Sequence, residues 1–338
     1  MQILLSSVGR RGYLVKYFRE ALGAGGQLWG GDSDRYAPAF RYCDRCVVLP
    51  EVTDPVYHKE LLRFCKNNEI NMVVPLIDPE LEVLSLHREQ FEDAGIMVVV
   101  SPRRTIEVTA DKCLTYEVAK KNGIAVPKTV TTINEAKKLL AAGEFHWPVM
   151  VKPRKGSAST NITYCRNEKQ LESAFESCPM PMIQEQVEGQ EYGYDLFGDR
   201  QCRPISVFCK LKLAMRAGET DKAISTNNED LIALGARLAE VFKIFGPADV
   251  DVIAGGDGPK LLEINPRFGG GYPCAHLCGA NFPAKLISMF RRETLTPDIG
   301  SYPAGVCMLK QDEIISPDNV EGIKPIRDWL GEGSDRKA

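Results

Sequence analysis

Residues 246–271, GPADVDVIAGGDGPKLLEINPRFGGG, constrain this chain more than any other stretch. Asp249, Val250, Asp251 and Val252 alternate acid with apolar, so both carboxylates leave one face of a strand while the valines enter a core. Glu263, Ile264 and Asn265 repeat the alternation, with Arg267 next in phase, and Gly255, Gly256, Asp257 and Gly258 join the two runs as a hairpin. Opposed residues of an antiparallel pair share a face, and every acid here has an odd number, so the register must have an even sum. A three-residue loop at 256–258 then sets Asp251 against Glu263 and Asp249 against Asn265. Three carboxylates and a carboxamide would lie together, with Arg267 the nearby neutralising group. Such a face is either a solvated polar surface or a set of hard oxygen ligands for Mg²⁺ or Mn²⁺, with phosphate oxygens completing the shell.

The 338 residues suffice for two or three domains, and 44% hydrophobic with 26% charged residues is an ordinary soluble balance. A net charge of -3 gives no basic excess for nucleic acid or an anionic membrane. No apolar run of spanning length occurs, and the chain enters a strand-like QILLSS directly after Met1, so a cytoplasmic protein without a signal peptide is expected. Eleven scattered cysteines suit a reducing compartment. Cys43 and Cys46 form a CxxC, but the four histidines, at 58, 87, 146 and 276, do not group with soft ligands as zinc would require; small half-buried thiols account for the pattern better.

Along the chain, 2–7, 28–32, 46–49, 72–75 and 96–100 read as strands, with helices near 13–22, 58–67 and 79–94: a doubly wound parallel sheet. Gly9 and Gly12 do not make a dinucleotide fingerprint. Functional groups in such sheets gather at the carboxyl ends of strands, so Arg10, Arg11, Asp78 and Glu80 are expected near a small polar substrate, or else as caps and surface charge. Lys112 lies near a helix start, a further helix runs over 134–142, and 148–163 is a strand carrying Lys152 into a loop of small and basic residues. That loop is either a phosphate cradle or a tight basic hairpin, and it is not a Walker A motif. After helix 167–176, residues 182–191 pass from apolar to polar, exposing main chain that suits an adenine edge, with Glu191 placed for ribose hydroxyls. Strands follow at 192–197 and 205–212, the second with Lys210 and Lys212 on one face, then a polar loop Arg216–Thr220 and a helix over 229–243. Helices are expected at 274–291 and one strand at 306–309.

The acid hairpin wants a divalent ion, the loop after Lys152 wants phosphate, and Lys112 and Lys210 supply positive charge; a metal–nucleotide satisfies all of them. Lys112 after Thr109-Ala110-Asp111, Val151-Lys152-Pro153 with the loop to Ser159, Gln184–Glu188 with Glu191, and Glu263-Ile-Asn-Pro-Arg267 together resemble the ATP-grasp ligases, within them the carbamoyl-phosphate-synthase-like branch, over residues 1–300. The resemblance implies an α/β and α+β architecture: a small doubly wound, Rossmann-like N-terminal domain over 1–100, linker helices and a small lobe over 101–190, a large lobe with the metal site over 191–300 and a C-terminal extension over 301–338. It implies that Lys112 and Lys152 touch the nucleotide phosphates with Ser157 and Ser159, that Glu185 and Val187 line adenine and Glu191 the ribose, and that Asp251, Glu263 and Asn265 hold two Mg²⁺ (or Mn²⁺) ions. The loop after Lys152 is poorer in glycine than in many members. Arg267, Lys210 and Arg216 are the expected catalytic cations. The implied reaction activates a substrate carboxylate as an acyl phosphate and joins it to an amine. The acceptor is placed near Arg10, Asp78, Glu80, Arg216 and Glu219, where Arg216 beside Glu219 suggests a zwitterion. Both substrates are small molecules, and a homodimer is compatible. A bicarbonate-activating or carbamoyl-phosphate-synthase-like phosphoryl-transfer enzyme, and a non-catalytic nucleotide-binding protein, are the alternatives.

Overall fold

In the computed structural model residues 1–156, 161–316 and 320–330 are described, and among these described residues the chain forms three sheets. Five short apolar runs pair in parallel: β1 (Gln2–Ser6), β2 (Gln27–Asp32), β3 (Arg45–Val48), β4 (Met72–Pro75) and β5 (Met97–Val98), in the order β3-β2-β1-β4-β5. Ile3, Leu4 and Leu5 are all fully buried, as a sheet covered on both faces requires. The direction of winding reverses beside β1, and the loops leaving β1 and β4 flank the crevice there. Arg11 and Asp78 stand in those loops or immediately after them, which is how the N-terminal domain reaches the site described below.

Helices α1 (Gly12–Leu22), α2 (Tyr57–Asn67) and α3 (Asp78–Asp93) cover this sheet. Two further helices, α4 (Arg103–Thr109) and α5 (Lys112–Lys121), lead away from it. Asp111 caps α5 by accepting from the Cys113 N–H, and it also takes the Arg154 guanidinium at 2.6 Å, tying the helix start to the strand that carries Lys152. The small lobe is the four-stranded sheet β6 (Thr129–Val130), β7 (Val149–Pro153), β8 (Thr163–Cys165) and β9 (Pro181–Glu185), in the order β6-β9-β7-β8, with helices α6 (Ile133–Ala141) and α7 (Glu168–Ser177).

The large lobe runs β14-β13-β10-β11-β12-β16, where β10 is Gln190–Gly198, β11 Pro204–Arg216, β12 Glu219–Thr226, β13 Gly246–Gly255, β14 Gly258–Asn265 and β16 Cys307–Leu309; β15 (Asp298–Ile299) adds to β11. Helix α8 (Glu229–Val241) buries Leu231, Leu238 and Ala239 under it. One core runs without interruption from Ile3, Leu5 and Phe18 of the N-terminal domain to Phe197, Phe208, Phe268 and Phe282 of the large lobe. The small lobe instead closes its own core around Phe145, Val149, Leu171 and Ile183. Its hydrophobic core is therefore separate from the one the N-terminal domain and large lobe share.

Two expectations change. The loop expected over Arg216–Thr220 is a two-residue hairpin turn, Ala217 and Gly218 both at positive φ (50° and 76°), and β12 starts at Glu219. Such primed turns match the twist of the strands they join, but Ala-Gly is a weak signal for one beside Asn-Gly. Two described stretches after residue 301 return to the body of the protein: β16 extends the large sheet, and Ile326–Trp329 lies in the N-terminal core with Trp29 and Phe64. No helix among the described residues is long and apolar enough to cross a membrane.

Candidate active site

Asp251 pairs with Glu263 and Asp249 with Asn265, as parity requires, but by a different route. Gly255 pairs with Gly258 across a two-residue turn, an odd register, and a bulge between Asp251 and Val252 leaves Leu262 as the extra residue that restores an even sum. The Tyr116 hydroxyl donates to the Leu262 carbonyl at 2.8 Å, so the bulge is held from α5. Val250 and Val252 are fully buried, and the acids lie on the opposite face.

Each acid there meets a cation or an amide. Lys112 Nζ is 3.5 Å from Glu263 Oε2, Asn265 Nδ2 donates to Glu263 Oε1 at 3.3 Å, and Arg267 lies 3.5 Å from Asp249 and 2.9 Å from Asp78. Lys212 Nζ approaches Asp251 Oδ1 to 2.5 Å as an ion pair. Burial pushes the Asp251 carboxyl up to about 7; Lys212 opposes this and Asp249 and Glu263 add to it. No group of three or more His, Cys, Asp or Glu among the described residues already stands as a metal cage. The set Asp251, Glu263 and Asn265 puts two carboxylates and a carboxamide on one face of the hairpin, a set of hard oxygen donors that fits Mg²⁺ or Mn²⁺.

The small lobe brings its own cations to this face. Lys152, near the end of β7, is 8% exposed, and its pKa is pulled down to about 8, chiefly by burial and then by the Lys112 charge, with Glu263 opposing. Lys112 Nζ also donates to the Gly156 carbonyl at 2.5 Å. Ser157 and Ser159 lie outside the described residues. Because Lys152 is about half neutral near pH 8, binding of a polyanion there should take up a fraction of a proton. Calorimetry with Mg-nucleotide at pH 8 in two buffers of different ionisation enthalpy should show that uptake in the wild type, and its disappearance in Lys152→Met.

The Glu185 side chain is already engaged, accepting from the Lys128 N–H at 2.8 Å and from Lys260 Nζ at 2.9 Å. It braces the small lobe against β14, leaving main chain rather than carboxylate for a base. Val187 is half-buried and Glu191 exposed on the adjoining segment.

A cavity of about 400 Å³ opens beside the acid hairpin, walled by Arg11, Leu76–Pro79, Lys212, Met215, Ala217–Thr220, Asp249, Asp251, Glu263, Asn265, Arg267 and Gly270. Asp78 and Glu219 therefore line it, whereas Arg10, Glu80, Arg216 and Lys210 do not. Arg10 points to solvent with its side chain 75% exposed, 3.5 Å from Asp312, and its neighbour Arg11 enters the cavity instead. Glu80 is fully buried, accepting from Ser7 at 3.1 Å and Tyr57 at 2.5 Å, and is part of the N-terminal core. Arg216 sits opposite Glu219 in register, but its side chain is paired with Asp221 (2.9 Å) and Asp312 (2.7 Å). Lys210 is fully buried in an ion pair with Asp195 at 2.5 Å, away from the cavity wall.

Lys212 is the lysine of that strand that reaches the site. Gly193 of β10 pairs with Lys210 on one side and Asp251 on the other, and a Cβ there would stand 3.2 Å from Cε of both lysines. The missing side chain is the passage through which Lys212 crosses β10. Alternation placed Lys210 and Lys212 on one face; only the register of β10 separates their roles.

Residues 109–271 match a family model described as the ATP-grasp domain, and residues 3–99 one described as the PylC-like N-terminal domain. The vancomycin/teicoplanin A-type resistance protein VanA of Enterococcus faecium is 34% identical over 127 residues, 36% of each chain. A D-alanine–D-alanine ligase of Fusobacterium nucleatum is 25% identical over 135 residues, 37% of this chain and 44% of that one. The matches thus span less than half the length of these two relatives. Biotin carboxylase of Campylobacter jejuni superposes with a TM-score of 0.74 over 90% of this chain and 74% of that one at 15% identity, a likeness of fold.

Proposed function

Because this chain belongs to the ATP-grasp superfamily, we propose that it is an ATP- and Mg²⁺-dependent carboxylate–amine ligase. The observation that carries this reading is the meeting of Lys112 and Lys152 from one side of the cleft with Asp251, Glu263 and Asn265 from the other, beside a cavity large enough for a small substrate. Cations for phosphate and oxygens for a divalent ion occupy one cleft, and the reacting groups have a place next to both.

Lys112 and Lys152 hold the nucleotide phosphates, main chain after Glu185 together with Val187 lines adenine, and Glu191 takes the ribose. Asp251, Glu263 and Asn265 would hold Mg²⁺, as two ions, which supplies charge neutralisation at the phosphate oxygens. A substrate carboxylate oxygen attacks the γ-phosphorus, the bond to the bridging oxygen breaks, and ADP leaves an acyl phosphate. Arg267, with Lys212 beside it, opposes the charge growing on the transferring oxygens. Arg267 is aimed by Asp78 and Asp249, so this cation is oriented before substrate arrives. The amine then attacks the acyl carbon, loses a proton, and phosphate departs as the amide forms. Tilting of the small lobe over the cleft excludes water, which would otherwise hydrolyse the acyl phosphate.

The test is phosphate and ADP release over a panel of carboxylate and amine pairs, with mass detection of the product. Release that needs both partners and yields an amide supports the ligase. Release with carboxylate alone, unchanged by any amine, would overturn it.

A further inference from the structure

We propose that the chain carries a second anion site, for a phosphate dianion, free or as a small organic monoester, held by Arg200 and Arg292 in a cavity away from the acid hairpin. This cavity, of about 470 Å³, lies between the turn that joins β10 to β11 and the residues that follow the helix Phe282–Phe290. It shares no lining residue with the cavity beside the acids. Gly193 of β10 pairs with Asp251, and Asp199, where the turn begins, stands about 20 Å further along at ~3.3 Å per residue. The two sites are therefore separate, and this one does not depend on the ligase reading.

The charges around the cavity do not balance. Arg203 is matched by Asp199 at 2.7 Å, and Arg88, just behind, by Glu92 at 2.7 Å. Glu293 accepts from the Ser288 hydroxyl at 2.6 Å and lies 4.0 Å from Arg291. Two guanidinium groups are left over. Arg200 is pinned by uncharged partners, donating to the Met289 carbonyl at 3.0 Å and reaching Met97 Sδ at 3.5 Å. The Arg292 side chain has no hydrogen-bond or ion-pair partner among the described residues. They repel each other: burial, then the charges of Arg292 and Arg88, pull the Arg200 pKa below its usual value. Both residues are exposed, so a ligand has access. Two planar forks with an excess of two positive charges suit a tetrahedral dianion, and a monocarboxylate would answer only one of them. Met289 and Leu295 give an apolar wall for the organic part of a monoester. The backbone supplies a clean variant. Arg292 has φ 61°, with its N–H donating to the Met289 carbonyl and that of Glu293 to the Ser288 carbonyl, the helix ending in which glycine is usual. Arg292→Gly thus removes the charge and relaxes the chain at once.

Titration calorimetry and thermal melting of the full chain at pH 8 test this, with inorganic phosphate, glycerol 3-phosphate and succinate as probes and potassium chloride at matched ionic strength as the control. Both phosphates should bind and raise the melting temperature beyond the control, with succinate weaker than either. Tighter binding of glycerol 3-phosphate assigns the site to a monoester, and equal binding to the free ion. Arg292→Gly should weaken the phosphates roughly 10- to 100-fold while the empty protein melts at the same temperature or higher. Arg200→Met should weaken them similarly. Lys112→Met, which removes a cation of the acid cleft, should keep the binding that Arg292→Gly loses. A shift no larger than that of chloride, succinate acting as well as phosphate, binding undiminished in Arg292→Gly, or binding lost in Lys112→Met would each overturn the assignment. If Arg200→Met does not fold, Arg292→Gly decides alone. Every one of these outcomes leaves the ligase reading standing.

Discussion

Glu263→Gln is expected to leave the protein folded and to lower ADP release by on the order of 10³-fold. Glu263 makes two contacts, Lys112 at 3.5 Å and Asn265 at 3.3 Å, and glutamine is close enough in shape to keep the second. Its charge is a burden to the empty protein, since Glu263 helps push the Asp251 carboxyl up to about 7, after burial and Asp249. Removing that charge should lower the Asp251 pKa and leave the melting temperature unchanged or slightly raised. The loss then falls on chemistry: an ion held by one carboxylate fewer stabilises the transferring phosphoryl group less, and about 4 kcal/mol of Lewis-acid assistance corresponds to about three powers of ten. A coupled assay for ADP and a thermal melt on the same preparation separate the two effects. Wild-type turnover in this variant would end the claim that Glu263 holds metal.

That prediction rests on a pairing legible in the residues themselves. Asp249, Asp251, Glu263 and Asn265 share odd numbers, and an even register is the one that gathers them while Val250, Val252 and Ile264 are buried. The loop length was not legible, because the bulge at Leu262 is held by the Tyr116 hydroxyl, a partner 146 residues away. The N-terminal strands were equally plain, being apolar runs that end at small or acidic residues. Less could be said of side chains in loops, where no periodicity operates: Arg10 and Arg11 are neighbours with opposite fates. The C-terminal segment explains two of the misplaced cations. Asp312 draws Arg10 and Arg216 out of the site, and Lys310 shares Glu219. Its own sequence carries no strong pattern, so these pairings follow from where β16 docks on β12.

Lys210→Met is expected to destabilise the protein by roughly 3–5 kcal/mol, seen as a fall in melting temperature of roughly 5–10 °C at pH 8. Lys210 and Asp195 are both buried, and Asp195 pairs in register with Asp249. Without the ammonium, Asp195 is an unpaired buried charge opposite a like charge. In the wild type, burial pushes the Asp195 carboxyl up to about 6 against the pull of Lys210, so the pair is ionised at neutral pH. The Lys210 pKa is raised: burial opposes its charge, and Asp195 and Asp249 outweigh burial. A folded-state pKa above the unfolded value of about 3.9 means that Asp195 favours the fold most below pH ~4 and loses that contribution as pH rises through 6. Losing Lys210 drives the Asp195 pKa higher still and extends the loss toward alkaline pH. The deficit of Lys210→Met against wild type should therefore be widest at pH 8 and shrink on acidification toward pH 5. Adding Asp195→Asn should recover much of the stability at pH 8, because neither member is then charged, a non-additivity that a double-mutant cycle reads directly. Turnover per folded molecule should stay near wild type, since Lys210 does not line the cavity. An unchanged melting temperature together with lost turnover would return Lys210 to the catalytic groups, and place the organising cation of β11 two residues earlier than Lys212.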